Sequence, residues 1–287
     1  MPPIVDWRHV SAADFRVPPE RRLADLTEEL TELLGTPDSE QRELALAVLC
    51  TWVERGVYDD LLPGLGDGIA TGLLTGLGER DTDSVFRRSF SALVVAEVID
   101  RDSRRPRVNR AKVHEWGDRL ATWFLMERDE RGYVEGHGWA HAIAHGADAL
   151  GALARSPHCG PGELLVVLDV IGDRVTRKNP ATVWYSGEAD RLAMTTLHVL
   201  RRGLVPDELV EPWLERIADA ARPRRDATDG EDVYRQTGNA AAFLRALYLQ
   251  LALGPATPPR RSDLVLLLVQ LLRRAHPAYL GPSQHRA

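Results

Sequence analysis

The stretch Arg21-RRLADLTEELTELLG-Gly35 sets the reading of the whole chain. Its leucines, Leu23, Leu26, Leu30 and Leu33 or Leu34, recur at three- and four-residue steps, which is the spacing of one face of an α-helix. Gly35 then supplies the stop that a helix C-terminus favours. The next segment repeats the grammar. Asp38-DSEQRELALAVLCTWVERG-Gly56 opens on Asp38 or Ser39 as an N-cap and closes on Gly56. Apolar stripes of the same period follow at 60–77, 83–101, 109–128, 138–154, 161–175, 187–202, 206–221, 231–252 and 261–275. β-branched alternation never persists, and no Asn-Gly or Asp-Gly pair separates two strand-like runs. The breaks are short and carry Gly or Pro, as in "RKNP" and "ALGPATPPRR". The expectation is an all-α protein of about eleven helices packed as antiparallel neighbours. Pairs recurring every ~40–45 residues suit a curved HEAT-like or toroidal array of αα-hairpins, although no internal sequence repeat is visible. One domain over 1–287 is expected, with loosely ordered ends at about 1–18 and 278–287. The charged stretches "DSRRPRVNR" and "PRRDATDGED" read as solvated connections.

The chain has 287 residues, 44% hydrophobic and 27% charged, which is the composition of a soluble globular protein. A net charge of −6 argues against general nucleic-acid binding, which draws on a basic excess. The N-terminus does not read as a signal peptide, and no stretch of about 18 apolar residues reads as a membrane span. Cys50 and Cys159 are far apart, and Cys50 sits in an apolar run, so both are read as reduced thiols. These features together predict a cytoplasmic protein with no membrane partner.

Chemistry concentrates in Gly136-GHGWAHAIAHGADAL-Leu150. His137, His141 and His145 stand at equal four-residue steps, and Asp148 follows. If the helix begins near Gly138, His141 and His145 lie about 40° apart, with Asp148 about 20° from His141 on the same narrow face. Two imidazoles at this spacing can share a cation, with a third ligand from elsewhere, or can do acid/base work. A zinc protease would need Glu after the first His, and Ala142 stands there. The opposing reading is a buried polar seam in which Asp148 fixes a tautomer.

Three further stretches carry polar groups into apolar patterns. In "NPATVWYSGEADRLAMTTLHVL", Ser186 reads as an N-cap, Glu188 as a third ligand or general base, and Arg191 as its surface ion-pair partner. Trp184 and Tyr185 offer an aromatic wall. In "RQTGNAAAFLRALYLQL", Asn239 precedes a small-residue run, and Arg245 sits in an apolar stripe as though buried and paired. In "SVFRRSFSALVVAEVIDRD", Arg87, Arg88 and Ser89 interrupt another. No GxSxG elbow, P-loop, GxGxxG turn or EF-hand loop is present.

"ERDERGYVEGHGWAHAIAHGADAL", "YSGEADRLAMTTL", "NAAAFLRALYLQL" and "RRSFSALVVAEVIDRD" together resemble the bacterial family catalogued as domain of unknown function 2785. The resemblance runs from about residue 20 to 275, and its GWAH–AHGAD core is its most specific part. Carried over residue by residue, it marks Arg88, Ser89, Trp139, His141, His145, Asp148, Glu188, Arg191, Asn239 and Arg245, and His137 less firmly. It implies an all-α protein built as a curved array of helical hairpins, and no particular activity.

Two functions follow as expectations. One is a small-molecule-binding protein or enzyme, with metal-assisted or acid/base hydrolysis as its chemistry. His141, His145, Asp148 and Glu188 would be the catalytic groups, and Trp139, Arg88, Trp184, Arg191, Asn239 and Arg245 would line the ligand, with an arginine neutralising an anionic group. A divalent metal on His141 and His145 is the cofactor this reading allows. The other is a non-catalytic helical scaffold for a peptide or protein partner, with the same residues as a buried network.

Overall fold

The computed structural model describes residues 5–178, 180–223, 232–255 and 258–281. Most of "PRRDATDGED" and all of "PSQHRA" therefore lie outside the described residues. Among the described residues the chain is all-α, with thirteen helices, one 3-10 turn and a single two-stranded hairpin. It divides into two compact units, Met1–His158 and Cys159–Ala287. No linker in the sequence marks that boundary.

The first unit holds α1 (Trp7–Ala12), α2 (Leu23–Leu33), α3 (Ser39–Glu54), α4 (Leu62–Ala70), a 3-10 turn (Thr71–Leu74), α5 (Ser84–Arg104), α6 (Arg110–Met126), the hairpin β1 (Tyr133–Val134) and β2 (Gly138–Trp139), and α7 (Ala142–Arg155). The local signals act as the sequence suggests. Leu26, Leu30 and Leu34 are wholly buried, and the Asp38 carboxylate accepts the N–H groups of Glu40 and Gln41 at the start of α3. Gly56 takes the left-handed conformation that stops it. α5 is buried on nearly every side from Val85 to Ile99, its polar Arg88, Ser89 and Ser91 included. It packs against α3, α4 and α7, while α6 packs on α7. Gly146 allows that last approach, since a Cβ there would lie 2.2 Å from Cδ2 of Phe124.

Two details differ from the sequence reading. The stripe at 60–77 is a nine-residue helix that tightens into the 3-10 turn. At Gly72 a Cβ would fall 2.2 Å from Oγ of Ser91 on α5. The N-terminal stretch contains α1, capped by Asp6. Trp7 of α1 packs edge-on against Trp52 and donates to Glu29.

The second unit holds α8 (Pro161–Val175), α9 (Glu188–Arg201), α10 (Asp207–Ala220), α11 (Val233–Leu253), α12 (Arg261–Ala275) and the short α13 (Pro277–Leu280). α11 packs against α9 and α12, and α10 against α12, α11 and α8. Phe243, Leu244 and Leu247 of α11 form its inner stripe and are fully buried. No described helix in either unit is long and apolar enough to cross a membrane.

Candidate functional site

The GWAH segment is not helical from Gly138 as its spacing predicts. Gly136 and Gly138 both take positive φ, +78° and +77°. This region is open to glycine and costly for other residues. The two glycines reverse the chain so that Tyr133 pairs with Trp139 and Val134 with Gly138. The helix therefore starts four residues later, at Ala142, with His141 as its N-cap.

That shift changes the histidine geometry. His141 is not on the helix face with His145. It holds a left-handed conformation, φ +48° and ψ +34°, which costs a non-glycine residue about 1–3 kcal/mol. The conformation turns its ring flat against Trp139, with centroids 4.2 Å apart and planes inclined by 20°. One turn into α7, the His145 ring meets His141 edge-on at 5.7 Å. Phe90 of α5 closes the row, edge-on to His145 at 5.1 Å. Both imidazoles are 7% exposed and Trp139 is 41% exposed. An aromatic column thus runs from the surface inward through Trp139, His141, His145 and Phe90. Asp148 is half-buried further along α7.

The start of α7 is buried and uncapped. Ala142, Ile143 and Ala144 are at most 1% exposed. The N-cap side chain makes no capping bond, and no backbone acceptor among the described residues takes the N–H groups of these three. A helix start concentrates partial positive charge, and its free donors require partners.

Sequence reasoning missed Arg42, the residue that secures the hairpin. Its guanidinium lies 4.0 Å over the Phe86 ring and 4.9 Å over Phe90. One amino group donates to the His137 carbonyl at 2.5 Å, and the other to the Thr36 carbonyl at 2.7 Å. Arg42 is fully buried, and burial pushes its pKa below the usual guanidinium value. The signal was present, because Arg42 continues the apolar stripe of Ala45, Leu49 and Trp52 toward the N-terminus of α3. His137 is half-buried beside Phe86.

Arg88 faces a different partner. Its Nε and Nη2 donate to the two carboxylate oxygens of Glu127 at 2.6 and 3.0 Å. Its Nη1 is held by Thr75, Gly76 and Ser84. Both side chains of the pair are wholly buried. Glu127 also accepts from Nε1 of Trp123 and from the backbone of Arg128 and Asp129. With its donors so engaged, Arg88 serves the frame of the unit. Ser89, also buried, bonds back to the Phe86 carbonyl.

The remaining candidates lie in the second unit. Glu188 is the first residue of α9 and is 3% exposed. The cap is Gly187, at φ +88°, and not Ser186. The Ser186 N–H instead donates to the Glu188 carboxylate at 2.8 Å. Asn239 clamps the preceding loop, accepting from the Trp184 N–H at 2.8 Å and donating to the Thr182 carbonyl at 3.1 Å. Trp184 is buried and Tyr185 is exposed. Arg191 is exposed. Arg245 is exposed too, beside His276 Nε2 at 3.3 Å, and not buried against a carboxylate. It follows Leu244 by one residue, and a step of about 100° turns it off the inner stripe of α11.

The structure thus joins Trp139, His141 and His145 in the first unit, and Trp184 with Asn239 in the second. Among the described residues no group of three or more His, Cys, Asp or Glu side chains is arranged to hold a metal ion.

The fold defines an all-α chain, and its first unit buries a pair of histidines, His141 and His145. The model of a family described as protein of unknown function, DUF2785, matches residues 73–249, and the chain belongs to that family. No curated protein and no solved structure matches the chain.

Proposed function

We propose that the protein binds a small molecule bearing an anionic group and exchanges protons with it at His141 and His145. The carrying observation is the buried, uncapped start of α7 directly beside the two imidazoles. Free N–H groups at a helix start favour a carboxylate or phosphate, and an imidazole is the side chain best suited to proton transfer near neutral pH. The half-exposed Trp139 would wall the ligand on the solvent side. The strained backbone of His141 supports the same reading, because such strain collects at functional positions. The fully buried guanidinium of Arg42, next to the hairpin, adds positive potential.

Thermal denaturation with a panel of organic phosphates and carboxylates, each paired with its neutral analogue, tests the reading. A ligand at about 100 times its Kd stabilises by about 2.7 kcal/mol. The expected result is a shift for anionic members only, absent in His145→Gln and weakened by salt. Equal shifts for neutral and anionic members, or shifts that persist in His145→Gln, overturn it. Metal analysis of chelator-free protein is the companion measurement. Stoichiometric zinc, iron or manganese lost in His141→Ala and His145→Ala would replace the acid/base reading with a metal-assisted one.

A further inference from the structure

The segment Asp263-DLVLLLVQLL-Leu272 is apolar on every side of α12, a pattern that belongs to a helix covered all round. In the second unit it is covered on one side only. Leu268, Leu271 and Leu272 are buried against its neighbours, while Leu266 is 63% exposed and Leu264, Val265 and Leu267 are half-exposed. Between α10 and α12 the open side forms a groove of about 550 Å³, floored by Val210, Leu264 and Leu267. Past Arg260 a second hollow of about 380 Å³ follows, lined in part by Leu200, Leu204 and Pro259.

The walls of the groove are acidic. Asp207, Glu208, Glu211 and Asp263 face one cation, Arg260. Arg260 is taken up by ion pairs with Asp207 and Asp263. Glu208 and Glu211 are exposed and make no ion pair among the described residues. A second copy would bring the same acidic walls face to face, where like charges disfavour contact.

We infer that this groove docks a basic amphipathic helix of another protein, its leucine-like anchors on the floor and its lysines or arginines against Glu208 and Glu211. This is the helix-in-groove mode, with apolar anchors at helical spacing and charge complementarity choosing the partner. It is independent of the histidine site, which lies in the other unit.

The probe is a fluorescent Leu/Lys peptide of about 14 residues, roughly four helical turns, with a Leu/Glu peptide of the same pattern as control. Anisotropy is measured with the full chain, its Glu208→Lys/Glu211→Lys and Leu266→Asp variants, and Glu20→Lys/Asp60→Lys, which changes net charge equally at exposed sites of the first unit. The inference expects binding of the Leu/Lys peptide alone, weakened at least about tenfold by both groove variants and unaffected by the first-unit pair. Equal weakening by the first-unit pair means unspecific charge attraction and overturns it. So does a dimer of the wild type that Leu266→Asp dissociates, because a second copy then covers the groove. Retention of thermal stability in each variant separates lost binding from lost folding.

Discussion

The imidazole of His141 lies flat on the indole of Trp139, 4.2 Å from centroid to centroid. The stack exists because His141 leaves the right-handed region at φ +48°, a conformation that also ends the hairpin and begins α7. A protonated imidazole in that position withdraws electron density from the excited indole. Trp139 emission should therefore fall as His141 gains its proton. Fluorescence titration of the wild type against His141→Gln isolates the step, and Trp139→Phe should abolish it. A wild-type titration identical to that of His141→Gln would mean that the stack does not form in solution.

Arg88 and Glu127 bury each other completely through two hydrogen bonds. Removal of one partner leaves a buried charge without its counter-ion, at about 3–5 kcal/mol. Arg88→Met and Glu127→Leu are each expected to cost that much in urea denaturation. The double substitution should cost less than the sum, since no lone charge remains. It should not restore full stability, because Glu127 also holds the Trp123 indole and two backbone N–H groups. Strict additivity would show the two side chains to be independent.

Gly146→Ala sets two effects against each other. Alanine favours a helix over glycine by about 1 kcal/mol. Its Cβ would press to 2.2 Å from Phe124, where α6 crosses α7. Overpacking a filled core costs about 1–3 kcal/mol, so the variant should be less stable or, at best, neutral. A clear gain in Tm would show that α6 has room to move.

Stability toward acid should depend on Asp59. The Arg101 guanidinium donates to both oxygens of its carboxylate, at 2.8 and 2.7 Å, and holds its pKa below the ordinary 3.8. A carboxyl with a lowered pKa in the folded state stabilises above its unfolded value and loses that contribution as pH falls through its folded one. Asp59→Asn should therefore be less stable than the wild type near neutral pH. The gap should narrow below about pH 4, where the unfolded chain's carboxyl begins to gain a proton that the folded one takes up only at lower pH. Urea midpoints across that range measure it, and a gap independent of pH would rule out the ion pair as its source.

Burial, together with the nearby Glu97 and Glu54 carboxylates, pushes the Cys50 thiol up to about 12. Thiol reagents attack the thiolate. Cys50 should thus stay unmodified in the native protein near pH 8 and react fully once the protein is unfolded. Rapid native labelling, located by mass spectrometry, would contradict that environment.

The all-α class, the bounds of most helices and the Asp38 cap were legible because they rest on short-range physics. A stripe such as Leu26, Leu30 and Leu34, or the Asp38 cap on α3, is decided by residues within a turn or two of one another. The same logic singled out His141 and His145, four positions apart, and they are neighbours in the fold. It misplaced the start of their helix, because two positive-φ glycines and a two-residue strand pairing outweighed a favourable period. It placed Arg245 inside, where one step of helical rotation puts it outside. Arg42 and the His137 carbonyl are 95 positions apart, and Arg88 and Glu127 are 39 apart. No local pattern links such residues. Only the packing of α3, α5 and α6 around the hairpin and α7 brought each buried guanidinium to its partners, because a buried charge is satisfied by whatever group the tertiary fold carries to it.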